Sequence, residues 1–173
     1  MPRAKKAPAR RRAIPKPSRP VMPEGYQLKK GPGFLPWSGL DEQFARAHNY
    51  WVATCRPDGR PHVMPVWGVW ADGMFTFSTD RFSRKARNLA SNPGIVVHLE
   101  SGDEVGILEG VAEEVTDRKL LAKIDDVFEA KYGMRVSTIQ GDVVIYGMRP
   151  RVAFAWREKD FNVVATRWVF DGG

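Results

Sequence analysis

The sequence predicts a mainly β fold, a closed antiparallel β-barrel carrying a few α-helices. Three observations carry this reading. About eight β-rich segments follow one another between Tyr50 and Phe170. Most are joined by short turns built from Gly, Pro, Asp or Ser, which favours hairpins. Only two or three helical stretches interrupt the series, which suits a barrel with local helices.

The first 20 residues stand apart. They hold eight of the 27 Lys and Arg and none of the 20 Asp and Glu, which leaves the remainder at 19 against 20, a net charge of −1. The overall +7 therefore belongs to a Pro/Ala/Arg/Lys tail, residues 1–20, too poor in apolar side chains to build a core and expected to be disordered. Such a tail could touch nucleic acid or an anionic surface without sequence preference, and a solubilising extension is the plainer reading. No zinc-finger spacing and no aromatic–basic ribonucleoprotein signature occurs in the body.

Residues 21–37 are rich in Pro and Gly and read as an extended lead-in to a single domain, 38–173. Ser38–Asn49 reads as a short helix capped by Ser38, with Leu40, Phe44 and Ala47 on one face. Tyr50–Cys55 is a strand, and Arg56-Pro-Asp-Gly59 suits a type I turn. Pro61–Trp70 and Met74–Thr79 complete a three-strand meander through the turn Ala71-Asp-Gly73. A helix over Ser83–Asn92 ends at Pro93-Gly94. Ile95–Glu100 and Glu104–Val115 form a further hairpin, and Asp117–Tyr132 is an amphipathic helix with Leu120, Leu121, Ile124, Val127 and Phe128 inward. Three strands, Val143–Met148, Arg151–Trp156 and Val163–Phe170, finish the chain after a loop at Met134–Asp142. Pro61–Trp70 is apolar on both faces, so a partner subunit is expected to cover one of them.

The chemistry is narrowed mainly by what is missing. No Walker A loop, dinucleotide-binding glycine fingerprint or zinc-protease helix is present. His48, His62 and His98 show no ligand spacing, and the carboxylates fall on solvated turns and helix faces. Cys55 and His62 flank one turn, but no orienting third group accompanies them, so Cys55 reads as packing. One cysteine, no apolar run of membrane-spanning length and no secretory signal point to a cytoplasmic chain without a membrane partner.

One segment carries positive information. In Met74–Leu89 a strand runs through a short loop into a helix, and Ser78, Thr79, Arg81, Ser83, Arg84, Lys85 and Arg87 crowd the junction. Ser83 is a good N-cap, and helix-terminal amides with nearby cations make a site for an anion, most naturally a phosphate. The competing reading is a solvated basic helix. Tryptophans such as Trp67 and Trp168 could stack on a planar ring or fill a core.

Gly59-Arg-Pro-His-Val-Met-Pro-Val-Trp67, Phe75-Thr-Phe-Ser-Thr79, Ser83-Arg-Lys-Ala-Arg-Asn-Leu89 and Glu109-Gly-Val-Ala112, in this order, resemble the pyridoxamine 5′-phosphate oxidase-like split β-barrel superfamily of FMN-binding proteins. Within it, with Ala165-Thr-Arg-Trp-Val-Phe170, they are similar to the flavin/deazaflavin oxidoreductases of the B group. The resemblance implies a homodimer with cofactor sites at the interface and coenzyme F-420 (a deazaflavin) or FMN as cofactor. It implies that Met64, Pro65, Val66 and Trp67 line the ring, and that Phe77, Ser78 and Thr79 sit under the ribityl chain. Lys85 and Arg87 would hold the phosphate with Asn88 beside them, and Arg167 and Trp168 would come from the other subunit. The implied activity is hydride transfer to a small planar acceptor, which needs no side-chain nucleophile because the cofactor supplies the chemistry. The Arg- and His-rich C-terminal segment of true pyridoxamine phosphate oxidases has no counterpart before Gly173, so that activity is not expected. The alternative within the same fold is a protein that stores or sequesters a flavin, a haem or another tetrapyrrole.

Overall fold

The computed structural model describes residues 13–31 and 33–170. Among the described residues there are seven strands: β1 (Asn49–Cys55), β2 (Pro61–Ala71), β3 (Met74–Asp80), β4 (Gly94–His98), β5 (Glu104–Glu114), β6 (Val143–Arg157) and β7 (Thr166–Val169). The order is β3-β2-β1-β4-β5-β6-β7, and β3 also pairs with β6. That last pairing closes six strands into an antiparallel barrel and leaves β7 outside it, on β6. Four α-helices accompany the strands among these residues: α1 (Trp37–Arg46), α2 (Arg84–Ser91), α3 (Arg118–Tyr132) and the single turn α4 (Phe161–Val164).

The turns follow from their residues. The Gly59 N–H donates to Arg56 O at 2.9 Å, closing the β1–β2 hairpin. Asp72 and Gly73 both have positive φ, 52° and 67°, the geometry of a two-residue hairpin that matches strand twist. Ser83 caps α2 by accepting from the Ala86 N–H, and Asp117 caps α3 by accepting from Lys119 and Leu120. Gly133 ends α3 in the left-handed conformation.

Several expectations shift. The strands foreseen at Val143–Met148 and Arg151–Trp156 are one continuous strand, β6. Pro150, which lacks an N–H, sits where the β5–β6 register slips between Glu109 and Gly110, so it bends the strand without ending it. The strand foreseen at Val163–Phe170 shortens to β7, because α4 takes its first residues. Helix α1 starts at Trp37 behind Pro36, with no side-chain cap, so Ser38 is not the cap.

The boundary of the basic tail also moves. Residues 1–12 lie outside the described residues. Ser18, however, exchanges both backbone hydrogen bonds with Arg167 at 2.8 Å, extending the sheet beyond β7. Arg19 donates to Ala165 O and lies 4.5 Å over the Phe34 ring, and Pro20 is buried. The lead-in runs on beside this edge: Lys29 N–H bonds Asn162 O, and Leu35 N–H bonds the Thr166 hydroxyl.

The main core cluster holds Val52, Phe75, Phe77, Val97 and Leu108 of the barrel strands, with Leu40 and Phe44 of α1 and Trp168 of β7 packed into it. A second cluster lies outside the barrel, where Ile124 and Phe128 of α3 cover Val69 of β2. No helix among the described residues is long and apolar enough to cross a membrane.

Candidate functional site at the open edge of β2

Strands β2 and β3 pair only over Gly68–Ala71 and Met74–Phe77. Beyond that point β3 continues along β6 to Asp80, while β2 continues along β1 back to Pro61. The two strands therefore part, and β2 from His62 to Trp67 has a ladder on one side only. The six residues of this stretch span about 17 Å. Val63, Met64 and Trp67 on this stretch are 48%, 44% and 46% exposed, a concentration of apolar surface that one chain leaves uncovered.

One end of the open stretch is cationic. The loop before α2 is held firmly: Arg81 pairs with Glu114 at 2.7 Å and Asp142 at 3.3 Å, the Asp80 carboxylate accepts from the Phe82 N–H, and the Thr79 hydroxyl donates to Ser83 Oγ. The first turn of α2 then places Lys85 half-buried. Burial pushes its pKa down, and no carboxylate among the described residues pairs with it. His62 lies near, its pKa pushed down by burial and then by the charges of Arg56, Lys85 and Arg84. Asn88, fully buried, donates to the Thr54 hydroxyl at 2.9 Å, and Thr54 is the register partner of His62.

Among the described residues, three of the five buried side-chain polar atoms without a hydrogen-bond partner belong to this cluster: Arg56 Nε, His62 Nδ1 and Asn88 Oδ1. Unsatisfied buried polar groups are costly. The two nitrogens, Arg56 Nε and His62 Nδ1, can each donate to an anion beside the unpaired cations, whereas Asn88 Oδ1 is an acceptor and takes no part in holding one. A phosphate suits this donor set, and the helix terminus adds to it.

The other end of the stretch is aromatic. The Trp67 ring stacks on Tyr132 of α3 at 4.7 Å and 6°, with His48 edge-on to both. Tyr132 Oη lies 2.7 Å from the His48 and Gly68 carbonyls and accepts from the Gly68 N–H. Lys131 Nζ donates to Gly68 O and to Tyr50 Oη, both at 2.8 Å. Burial pushes Lys131 down to about 8 and raises Tyr50 and Tyr132 above their ordinary range.

Of the residues foreseen for the site, Met64, Pro65 and Trp67 are exposed along the open edge, Ser78 and Thr79 are half-exposed at the end of β3, and Lys85 stands at the cationic end. Val66 and Phe77 belong to the barrel core and offer no side chain to a ligand. Arg87 and Arg84 are both exposed on α2, and the charges acting on His62 are those of Arg56, Lys85 and Arg84. Trp168, only 1% exposed, packs edge-on against Trp37 and is not presented to a partner, which corrects its expected role. Arg167 stays half-buried, its backbone paired with Ser18 and Phe154.

Sequence reasoning missed Arg56, His62, Lys131 and Tyr132 as site residues. Arg84 was in view beside the Ser83 cap; the others reach the cleft through the β1–β2 hairpin and the end of α3. Among the described residues, no group of three or more His, Cys, Asp or Glu is placed to hold a metal ion.

Comparison with known proteins agrees with this architecture. The model of the pyridoxamine 5′-phosphate oxidase family matches residues 39–157, more than half of the chain. No curated protein matches significantly. Among solved structures, a conserved hypothetical protein of Mycobacterium tuberculosis is 25% identical with a TM-score of 0.65, over 75% of this chain and 89% of that one. An F420 reductase is 21% identical with a TM-score of 0.52, over 72% and 98%. The haem storage protein HutZ of Vibrio cholerae is 20% identical with a TM-score of 0.51, over 66% and 87%. With the family model spanning most of the barrel and the strands in this order, the chain belongs to the pyridoxamine 5′-phosphate oxidase family and has its split-barrel fold.

Proposed function

We propose that this chain is an oxidoreductase that holds a phosphorylated flavin-type cofactor, coenzyme F-420 or FMN, along the open edge of β2 and reduces a small planar organic acceptor. The observation that carries the reading is the asymmetry of that edge: a cationic cluster with orphaned polar atoms at His62, and an exposed aromatic wall at Trp67. Arg84 and Lys85 would bind the phosphate, with Ser78 and Thr79 beside the chain that links it to the ring. Met64 and Trp67 would shield the ring from water. When bound, the cofactor supplies hydride chemistry, which explains why no nucleophile–base pair is needed.

The exposed Val63, Met64 and Trp67 further support a homodimer, in which a second copy covers this edge and completes the site. Light scattering at micromolar concentration is then expected to give twice the 19.5 kDa chain mass. A monomer that binds cofactor tightly would defeat the interface site.

The likeness to a haem storage protein supports a second reading, in which the same cleft stores a flavin or a tetrapyrrole without turnover. One titration separates the two. The purified protein is titrated with FMN, F-420 and haem, and reduced FMN and F-420 are tested against quinone, nitroaromatic and tetrapyrrole acceptors. Oxidoreductase function requires turnover with at least one acceptor; tight binding without any turnover favours storage.

A further inference from the structure

We propose that the end of α3 is a positioning device for the candidate site, in which the Lys131–Tyr132 pair fixes the plane of the Trp67 ring at the open edge of β2. The inference rests on the site reading above, since it concerns the wall against which a planar ring would lie.

Helix α3 does not need this latch to dock. Ile124 and Phe128 are buried against Val69 and supply an ordinary apolar seat. Yet the last turn spends a half-buried cation and a phenol on one short piece of backbone. Lys131 Nζ lies 4.6 Å over the Tyr50 ring and 5.1 Å over the Tyr132 ring, and no carboxylate among the described residues pairs with it. A half-buried cation without a counter-ion carries a desolvation cost, and a methionine would seat the helix without it. The groups that Lys131 and Tyr132 grip are the carbonyl and amide of Gly68, the residue next to Trp67 and the first at which β2 is paired with β3. The backbone beside Trp67 is thus held from α3, and the Tyr132 face then stacks on the indole.

A tryptophan on an open strand edge would otherwise sample several rotamers. Held between the Tyr132 face and the His48 edge, it presents one orientation. A planar ligand then meets a wall whose side-chain entropy has already been lost.

The test uses the full chain labelled with fluorotryptophan, with the Trp67 signal assigned by Trp67→Phe. In Tyr132→Leu the Trp67 fluorine resonance is expected to shift and narrow as the indole becomes mobile. FMN or F-420 affinity should fall by about ten-fold, the upper end of what one aromatic pair is worth. Tyr132→Phe keeps the ring and should restore most of the affinity. Lys131→Met keeps the apolar seat but frees the Gly68 carbonyl, and should move the same resonance. Ile124→Val is the structural control: it should lower the melting temperature without moving the Trp67 signal. A Trp67 resonance that stays at its wild-type position in both Tyr132→Leu and Lys131→Met overturns the proposal. If the wild-type chain binds neither cofactor, the function reading falls, while the resonance still decides whether α3 positions Trp67.

Discussion

Ser18 and Arg167 exchange both of their backbone hydrogen bonds at 2.8 Å, joining the N-terminal segment to the strand at the other end of the chain. Arg19, next to it, donates to the carbonyls of Ala165, Lys29 and Gly31. A chain starting at Val21 loses all of these at once. With about 1 kcal/mol for each bond made in a partly buried place, the loss should reach about 2–4 kcal/mol. At roughly 2–4 °C per kcal/mol for a chain of this size, melting should fall well beyond experimental error. A chain starting at Ala13 should melt like the full-length protein. Equal melting of the two truncations would show that the Ser18 pairing is idle.

That boundary shows where sequence reasoning stops. Charge and composition group Ser18 and Arg19 with the basic residues before them, because nothing local says that they meet Arg167 and Ala165. The hairpins were legible because Arg56-Pro-Asp-Gly59 and Asp72-Gly73 fix their own backbones. The α2 N-terminus was legible because Ser83 caps it locally. Pro150 reads as a strand breaker, and only the bulge opposite Gly110 reveals β6 as continuous. Trp67 and Trp168 look alike in sequence; burial by Trp37 removes one from the site and leaves the other exposed. The anchor was half-legible, since Lys85 and Arg84 lie beside the cap, whereas Arg56 and His62 arrive only when the β1–β2 hairpin folds against α2.

Gly68 marks the point where the barrel splits, and it has no room for a side chain. A Cβ there would lie 2.6 Å from Cε2 of Phe75, a fully buried ring, and 2.8 Å from Thr76 O. Gly68→Ala should therefore destabilise by at least about 1–3 kcal/mol, the usual cost of overpacking. Gly25→Ala, with nothing within 4 Å of its Cβ, serves as the control and should stay within roughly 0.5 kcal/mol. Urea titrations of both variants decide the matter; equal midpoints would mean that Phe75 gives way freely.

Lys131 predicts an unusual pH dependence. Its pKa lies at about 8 in the folded chain against an ordinary 10.5, because burial disfavours the cation. Between these values the unfolded chain binds more protons than the folded one, so stability should rise with pH from about 8. The opposite trend sets in near 10, where tyrosines ionise in the unfolded chain while burial keeps Tyr50 and Tyr132 protonated in the folded one. Denaturant midpoints between these limits should climb in the wild type and climb less steeply in Lys131→Met, where Lys85, also pushed down by burial, supplies the remainder. A parallel climb in both proteins would assign the effect to another group.

The cationic end of the cleft gives the sharpest test of the site. Lys85 and Arg84 act on His62, and Arg87, exposed on α2 like Arg84, is not among the charges that do. A charge-assisted hydrogen bond to phosphate contributes roughly 1.5–3 kcal/mol, so Lys85→Ala and Arg84→Ala should each weaken FMN or F-420 binding by about ten- to a hundred-fold. Arg87→Ala should cost less than about three-fold, as expected for a screened surface charge. Melting temperatures should hardly move, because Arg84 is solvent-facing and Lys85 has no carboxylate to lose. Riboflavin, which shares the ring of FMN but lacks the phosphate, supplies the decisive comparison. Its affinity should be similar across the wild type, Arg84→Ala and Lys85→Ala, since the ring meets the Trp67 end and not the anchor. Should riboflavin lose as much affinity as FMN, the substitutions would be disturbing the cleft as a whole, and the phosphate would have to be placed elsewhere.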